Sequence, residues 1–167
     1  MAIVMVAAAC SSGSSDDSDQ AAGAAGVQAQ GKPVPVTSFE TFAGESVTLA
    51  AYAGRPLVVN FWASWCPSCV AEMSAAFLPA QLELGESVAF LGLNIADERD
   101  KALELADETG VLFDLAEDSG GRLFTELGGL GMPLTVFVSE DGEILDVHNG
   151  PLTEDQLIDR INGILLS

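Results

Sequence analysis

Leu57-Val58-Val59-Asn60-Phe61-Trp62 is a dense run of β-branched and aromatic residues broken by a single polar position. A strand with one wet face alternates apolar and polar residues. A run like this one suits a strand buried on both faces, and such strands need helices above and below them. The run therefore predicts a central strand in an α/β sheet.

The flanking segments supply the rest of that architecture. Phe39 to Leu49 alternates apolar and polar residues around Ala43-Gly44-Glu45, a hairpin pattern, and Leu49 to Gly54 reads as a short helical turn ended by Arg55-Pro56. Ser68 to Leu84 carries Val70, Met73, Phe77 and Leu84 near helical spacing, with Gly85 as a stop and Pro79 expected to kink or end the helix early. Val88 to Asn94 reads as a second buried strand and Glu98 to Thr109 as a helix closed by Gly110. Leu112 to Leu115 reads as a short extended piece and Arg122 to Leu127 as a short helix. This alternation predicts βαβ units and a parallel core. Thr135 to Ser139 and Glu143 to His148, joined by Glu140-Asp141-Gly142, predict a hairpin. Thr153 with Gln156 three residues on is a capping box opening a helix that runs to about Leu166.

A chain of 167 residues suits one domain with a leader and linker rather than two full domains. At 49% hydrophobic and 19% charged it can build a core. Its net charge of −19, from 25 acidic and 6 basic residues, excludes nucleic acid and anionic membrane surfaces as natural partners. No window is apolar for long enough to span a bilayer. Residues 1–9 are a short apolar run ending in small residues, read as a signal segment. Residues 10–31 are mostly Ser, Gly, Ala, Asp and Gln, a flexible tether, which leaves 32–167 as the folded domain.

Of three cysteines, Cys66 and Cys69 stand in Trp65-Cys66-Pro67-Ser68-Cys69, where the buried strand ends and a helix begins. Backbone N–H groups and the dipole at a helix start stabilise a thiolate. Pro67 suits the first helical position, and cysteines at i and i+3 across that turn come within disulfide reach. Cys66, nearer the helix end, is the one expected to be exposed and reactive. Redox exchange is the leading reading of this pair. A zinc half-site lacks further ligands beyond His148 and carboxylates, and a static disulfide would close too small a loop to stabilise much.

Val59-Asn60-Phe61-Trp62-Ala63-Ser64-Trp65-Cys66-Pro67-Ser68-Cys69 resembles the active-site segment of the thioredoxin superfamily, in the manner of the TlpA/ResA-like extracytoplasmic thiol–disulfide oxidoreductases. Gly131-Met132-Pro133-Leu134-Thr135 resembles the family's cis-proline loop, and Glu72 matches an acidic residue kept near the cysteines. Asp141-Gly142 with Gly150-Pro151 resembles the closing hairpin and its exit. The likeness runs from about Phe39 to the C-terminus.

It implies a thioredoxin-like α/β fold, a central mixed sheet flanked by helices with an N-terminal β-hairpin extension. It also implies roles: Cys66 as nucleophile, Cys69 as resolving cysteine, Glu72 as an acid/base for Cys69, and Met132 and Pro133, in a cis bond beside Cys66, as a client-binding loop with Trp65 at the site's surface. The alternative for Glu72 is a solvated helix charge. Asn60 stands where cytoplasmic thioredoxins keep a buried acid, so a proton relay from that position is unavailable here. His148 is expected to be a strand-end residue without a catalytic part.

Ala7-Ala8-Ala9-Cys10 resembles a bacterial lipobox, which makes Cys10 a lipid attachment site rather than a redox thiol. A cleaved signal with an incidental cysteine is the alternative. The resemblance implies a monomer on the extracytoplasmic face of a bacterial membrane, held by its lipid alone. It implies no cofactor beyond the Cys66–Cys69 disulfide, no metal, exported thiol or disulfide proteins such as apocytochrome c as clients, and a membrane electron donor or acceptor. A disulfide-forming oxidase, a thiol peroxidase and a non-catalytic tethered peptide-binding module are the other readings. The peroxidase is disfavoured because Trp65 directly precedes Cys66 and a resolving cysteine stands three residues on.

Overall fold

The computed structural model describes residues 29–167. The expected signal segment 1–9, Cys10 and most of the linker lie outside the described residues. The strands are β1 (Phe39–Thr41), β2 (Ser46–Val47), β3 (Leu57–Trp62), β4 (Ala89–Asn94), β5 (Asp114–Glu117), β6 (Leu134–Val138) and β7 (Ile144–Asn149). The helices are α1 (Pro67–Glu72), α2 (Leu78–Leu84), α3 (Arg99–Thr109), α4 (Arg122–Glu126) and α5 (Glu154–Arg160).

The sheet order is β2-β1-β5-β4-β3-β6-β7. Strands β3, β4 and β5 are parallel, because a helical crossover joins each to the next, while β6 and β7 add antiparallel on one side and the β1–β2 hairpin on the other. This is the expected mixed sheet with its N-terminal hairpin. All six residues of β3 are buried. Val58 and Trp62 point to a core layer shared with Met73, Phe77, Phe137, Leu157 and Ile161. Leu57, Val59 and Phe61 point to the opposite layer, against Leu91, Leu93, Leu134 and Val136.

Several local expectations shift. Pro79 does not end its helix: a π turn at Met73–Phe77, closed by the Leu78 N–H on the Met73 carbonyl, precedes it, and α2 continues to Leu84. The widened turn accommodates a residue that lacks its N–H and crowds the carbonyl before it. The fifth strand is Asp114–Glu117 rather than Leu112–Leu115. The Phe113 ring packs against Phe77 and Phe90, while Leu112 turns outward with its N–H on Gln81 Oε1. The folded unit also reaches back into the expected linker, since Ala29 is buried and Gly31 and Lys32 hydrogen-bond to Ile144 on β7.

Candidate active site

The β3–α1 junction carries the cysteines. Cys66 is the N-cap of α1 and Pro67 takes the first helical position. Cys66 and Cys69 form a disulfide with their Cα atoms 5.3 Å apart. The Cys69 N–H donates to Cys66 Sγ at 3.3 Å, so the helix start directs a backbone dipole at the Cys66 sulfur, where it will favour a thiolate. The expectation that Cys66 is openly exposed needs correction: it is 5% accessible and Cys69 1%. The order of access holds but the margin is small, because Cys66 packs into the same core layer as Trp62 and Met73.

Glu72 lies one helical turn beyond Cys69 and is only 4% exposed. Asn60 Nδ2 donates to its Oε1 and the Leu152 N–H to its Oε2, both at 3.3 Å. Burial pushes its pKa up to about 8, against a smaller lowering by the Leu152 hydrogen bond. The reading of Glu72 as a solvated helix charge therefore does not hold. Asn60 faces Thr135 across the β3–β6 pair, and both are buried.

The Met132–Pro133 peptide is cis. The Pro133 carbonyl accepts from the Gly150 N–H at 2.9 Å, and Met132 packs against the core layer that contains both cysteines as well as the opposite one. Trp65 is 58% exposed. His148 is half-buried in β7, one residue from its end, and burial, with the nearby Arg160, lowers its pKa.

A family model described as Redoxin matches residues 29–162. The chain belongs to the Redoxin family. It is 35% identical over 138 residues to the thiol:disulfide interchange protein DsbE of Tatumella citrea, covering 80% of this chain and 72% of that one. It is 28% identical over 119 residues to the thiol-disulfide oxidoreductase ResA of Halalkalibacterium halodurans, covering 71% and 68%. Among solved structures it is similar to MTB dsbF, described in mixed oxidized and reduced forms, with a TM-score of 0.70 at 27% identity over 78% of this chain and 98% of that one. This Redoxin protein is a thiol–disulfide oxidoreductase of the DsbE/ResA type, with Cys66–Cys69 as its disulfide pair.

The sequence reading left one part of this Redoxin site out. Ser64, Trp65 and the β4–α3 loop at Ala96 and Asp97 are hydrogen-bonded together beside Cys66. A signal for it was present. The parallel strands β3 and β4 pair Trp62 with Asn94, so the loops that follow them emerge at the same edge of the sheet, and polar residues just past parallel strands gather at such edges.

Proposed function

We propose that this protein reduces disulfides in exported client proteins. The Cys66 thiolate attacks a client disulfide, breaking its S–S bond and forming a Cys66–client mixed disulfide, and the released client sulfur takes a proton from water. Cys69 then gives its proton to Glu72 in the fraction of molecules whose carboxyl is ionised, its thiolate attacks the Cys66 sulfur, and Glu72 returns the proton to the departing client sulfur. The Cys66–Cys69 disulfide forms, the second client sulfur leaves as a thiol, and two electrons have passed to the client. A membrane dithiol donor restores the reduced pair. No further cofactor enters the cycle, and the same steps reversed oxidise a client dithiol.

The observation that carries this reading is the buried Glu72 carboxyl, with a pKa near 8, one turn from buried Cys69. Burial has moved this carboxyl into the range where thiols ionise, so it can take up and return a proton near neutral pH. Trp65 and Met132 form the client-facing surface beside the cysteines, with Pro133 buried behind Met132. Among the described residues no helix is long and apolar enough to cross a membrane, and the proposed attachment is acylated Cys10, with the domain on the extracytoplasmic face.

Equilibration of the protein in graded dithiol buffers, followed by alkylation and mass analysis, tests the direction. A reversible two-electron couple near thioredoxin's value of roughly −270 mV supports the reductase, and a midpoint near roughly −120 mV makes it an oxidase. A pair that never cycles removes the reading. Cys10→Ala is expected to release the protein from membranes, and unchanged fractionation would refute the anchor.

A further inference from the structure

Ser64 stands two residues before Cys66, and one carboxylate holds it twice. Its backbone N–H donates to Asp97 Oδ2 at 2.5 Å and its hydroxyl to Oδ1 at 2.7 Å. The same carboxylate accepts from Asn94 Nδ2 at 2.9 Å and from the Glu98 N–H at 2.8 Å. Asn94 is itself buried and also donates to the Trp62 carbonyl at 3.4 Å.

Next to Asp97, Ala96 has φ 49°, the one positive φ outside glycine among the described residues. Its carbonyl accepts the Trp65 indole N–H at 2.8 Å. A residue with a Cβ stays in that left-handed region only where its surroundings over-determine it. Here the Trp65 indole holds one side of the peptide and the Asp97 hydrogen bonds the other. The β4–α3 loop thus forms a shelf on which the residues leading into Cys66 are fastened, and Trp65, one residue before Cys66, is held with more than half its surface open.

We propose that Asp97 is a positioning residue for disulfide exchange: through Ser64 and the Ala96 shelf it holds Cys66 Sγ and the Trp65 ring where an incoming disulfide must align. Exchange needs the attacking, central and leaving sulfurs nearly in line, so small displacements of Sγ cost rate. Burial raises the proton affinity of Asp97, but the hydrogen bonds from Asn94, Ser64 and Glu98 outweigh it and hold the carboxyl below its usual range. It is therefore ionised at neutral pH, and its charge opposes the helix start that favours a Cys66 thiolate. Beyond Asp97, Glu98 pairs with Lys101, and Arg99 pairs with Glu117 and Glu40.

The proposal rests on Cys66 being the attacking sulfur. The test uses the reduced full chain and oxidised glutathione as probe, with Cys66 alkylation followed across pH to give the thiolate fraction. At equal thiolate fraction Asp97→Ala is expected to lower the second-order rate constant about tenfold, and Ser64→Ala, which keeps the N–H bond, about threefold. Asp97→Asn, which retains an acceptor oxygen, should recover part of the rate and move the alkylation profile to lower pH, because the opposing charge is gone.

A rate constant for Asp97→Ala within about twofold of the unsubstituted protein overturns the proposal, even if thermal stability falls. Should Asp97→Ala fail to fold, Ser64→Ala decides: an unchanged rate overturns it and a loss supports it. If in Cys66→Ser the Cys69 thiol, located by peptide mass, takes up glutathione as fast as the unsubstituted protein reacts, the assignment of Cys66 falls and this proposal with it. If Cys66→Ser is inert while Asp97→Ala reacts normally, only the proposal falls.

Discussion

On one side of β3, Leu57, Val59 and Phe61 meet Leu91, Leu93, Leu134 and Val136, an apolar layer completed by Leu123, Leu127 and Ile144. On the other side Val58 and Trp62 share their row with Asn60, whose cross-strand neighbours are Gly92 and Thr135. Glu72, Asn60 and Thr135 are three of the five buried polar side chains among the described residues, and all lie on this second side, with the cysteines. The first layer can be assigned almost wholly to stability, since apolar burial is the dominant favourable contribution to folding. The second gives up some of that burial to hold polar groups in a low-dielectric setting, where a carboxyl's affinity for a proton rises. Chemistry and cohesion are divided between the two faces of one sheet.

Substitutions on the two faces should separate chemistry from cohesion, with the largest effect at the nucleophile. Cys66→Ser should leave no measurable disulfide exchange while the far-UV circular dichroism is retained, because the nucleophile is lost and the apolar layer is untouched. Phe61→Ala on the opposite face should do the reverse. It should cost roughly 3–5 kcal/mol in urea unfolding, with normal exchange by the fraction still folded. A comparable loss of exchange at temperatures where the variant is folded would show that the faces are not separable.

Glu72→Gln should act through pH. The folded chain keeps a proton on Glu72 up to about 8, whereas the unfolded chain releases it near 4.5. The folded state therefore binds more protons between those values, and stability falls as pH rises through that window. Glu72→Gln should flatten this slope, making the variant relatively more stable at high pH by up to roughly 5 kcal/mol, less whatever the site relaxes. It should also remove the inflection near pH 8 from the rate of mixed-disulfide resolution. A wild-type profile in both measurements would separate Glu72 from the chemistry. The smallest effect is expected at the cap of α5, where Thr153 and Gln156 exchange hydrogen bonds at 3.4 and 3.0 Å. Thr153→Ala should cost about 1 kcal/mol and leave the Cys66 reaction rate unchanged.

Much of this arrangement was legible in the chain because its causes are local. The apolar run at Leu57–Trp62, the glycine that closes α3 in a left-handed conformation at Gly110, and the Thr153–Gln156 box each act within a few residues. The element boundaries that moved were those where a distant contact intervenes. Leu112 and Phe113 are equally apolar in sequence, but only the Phe113 ring finds Phe77 and Phe90. Gly92 is another case: a methyl group there would meet Phe113, Leu115 and the Trp62 ring at 2.7–2.9 Å, a constraint set by three separate segments.

The buried strand, the helix that starts at Cys66 and the reach of two cysteines across its first turn follow from spacing and backbone preference alone. It took the assembled fold to bury Glu72, to bring the Asn60 amide to its carboxyl and to bond Asp97 to Ser64. A carboxylate's role depends on solvent and partners brought from segments far along the chain, and Asp, Glu and Asn look alike in sequence whether they face water or a sulfur.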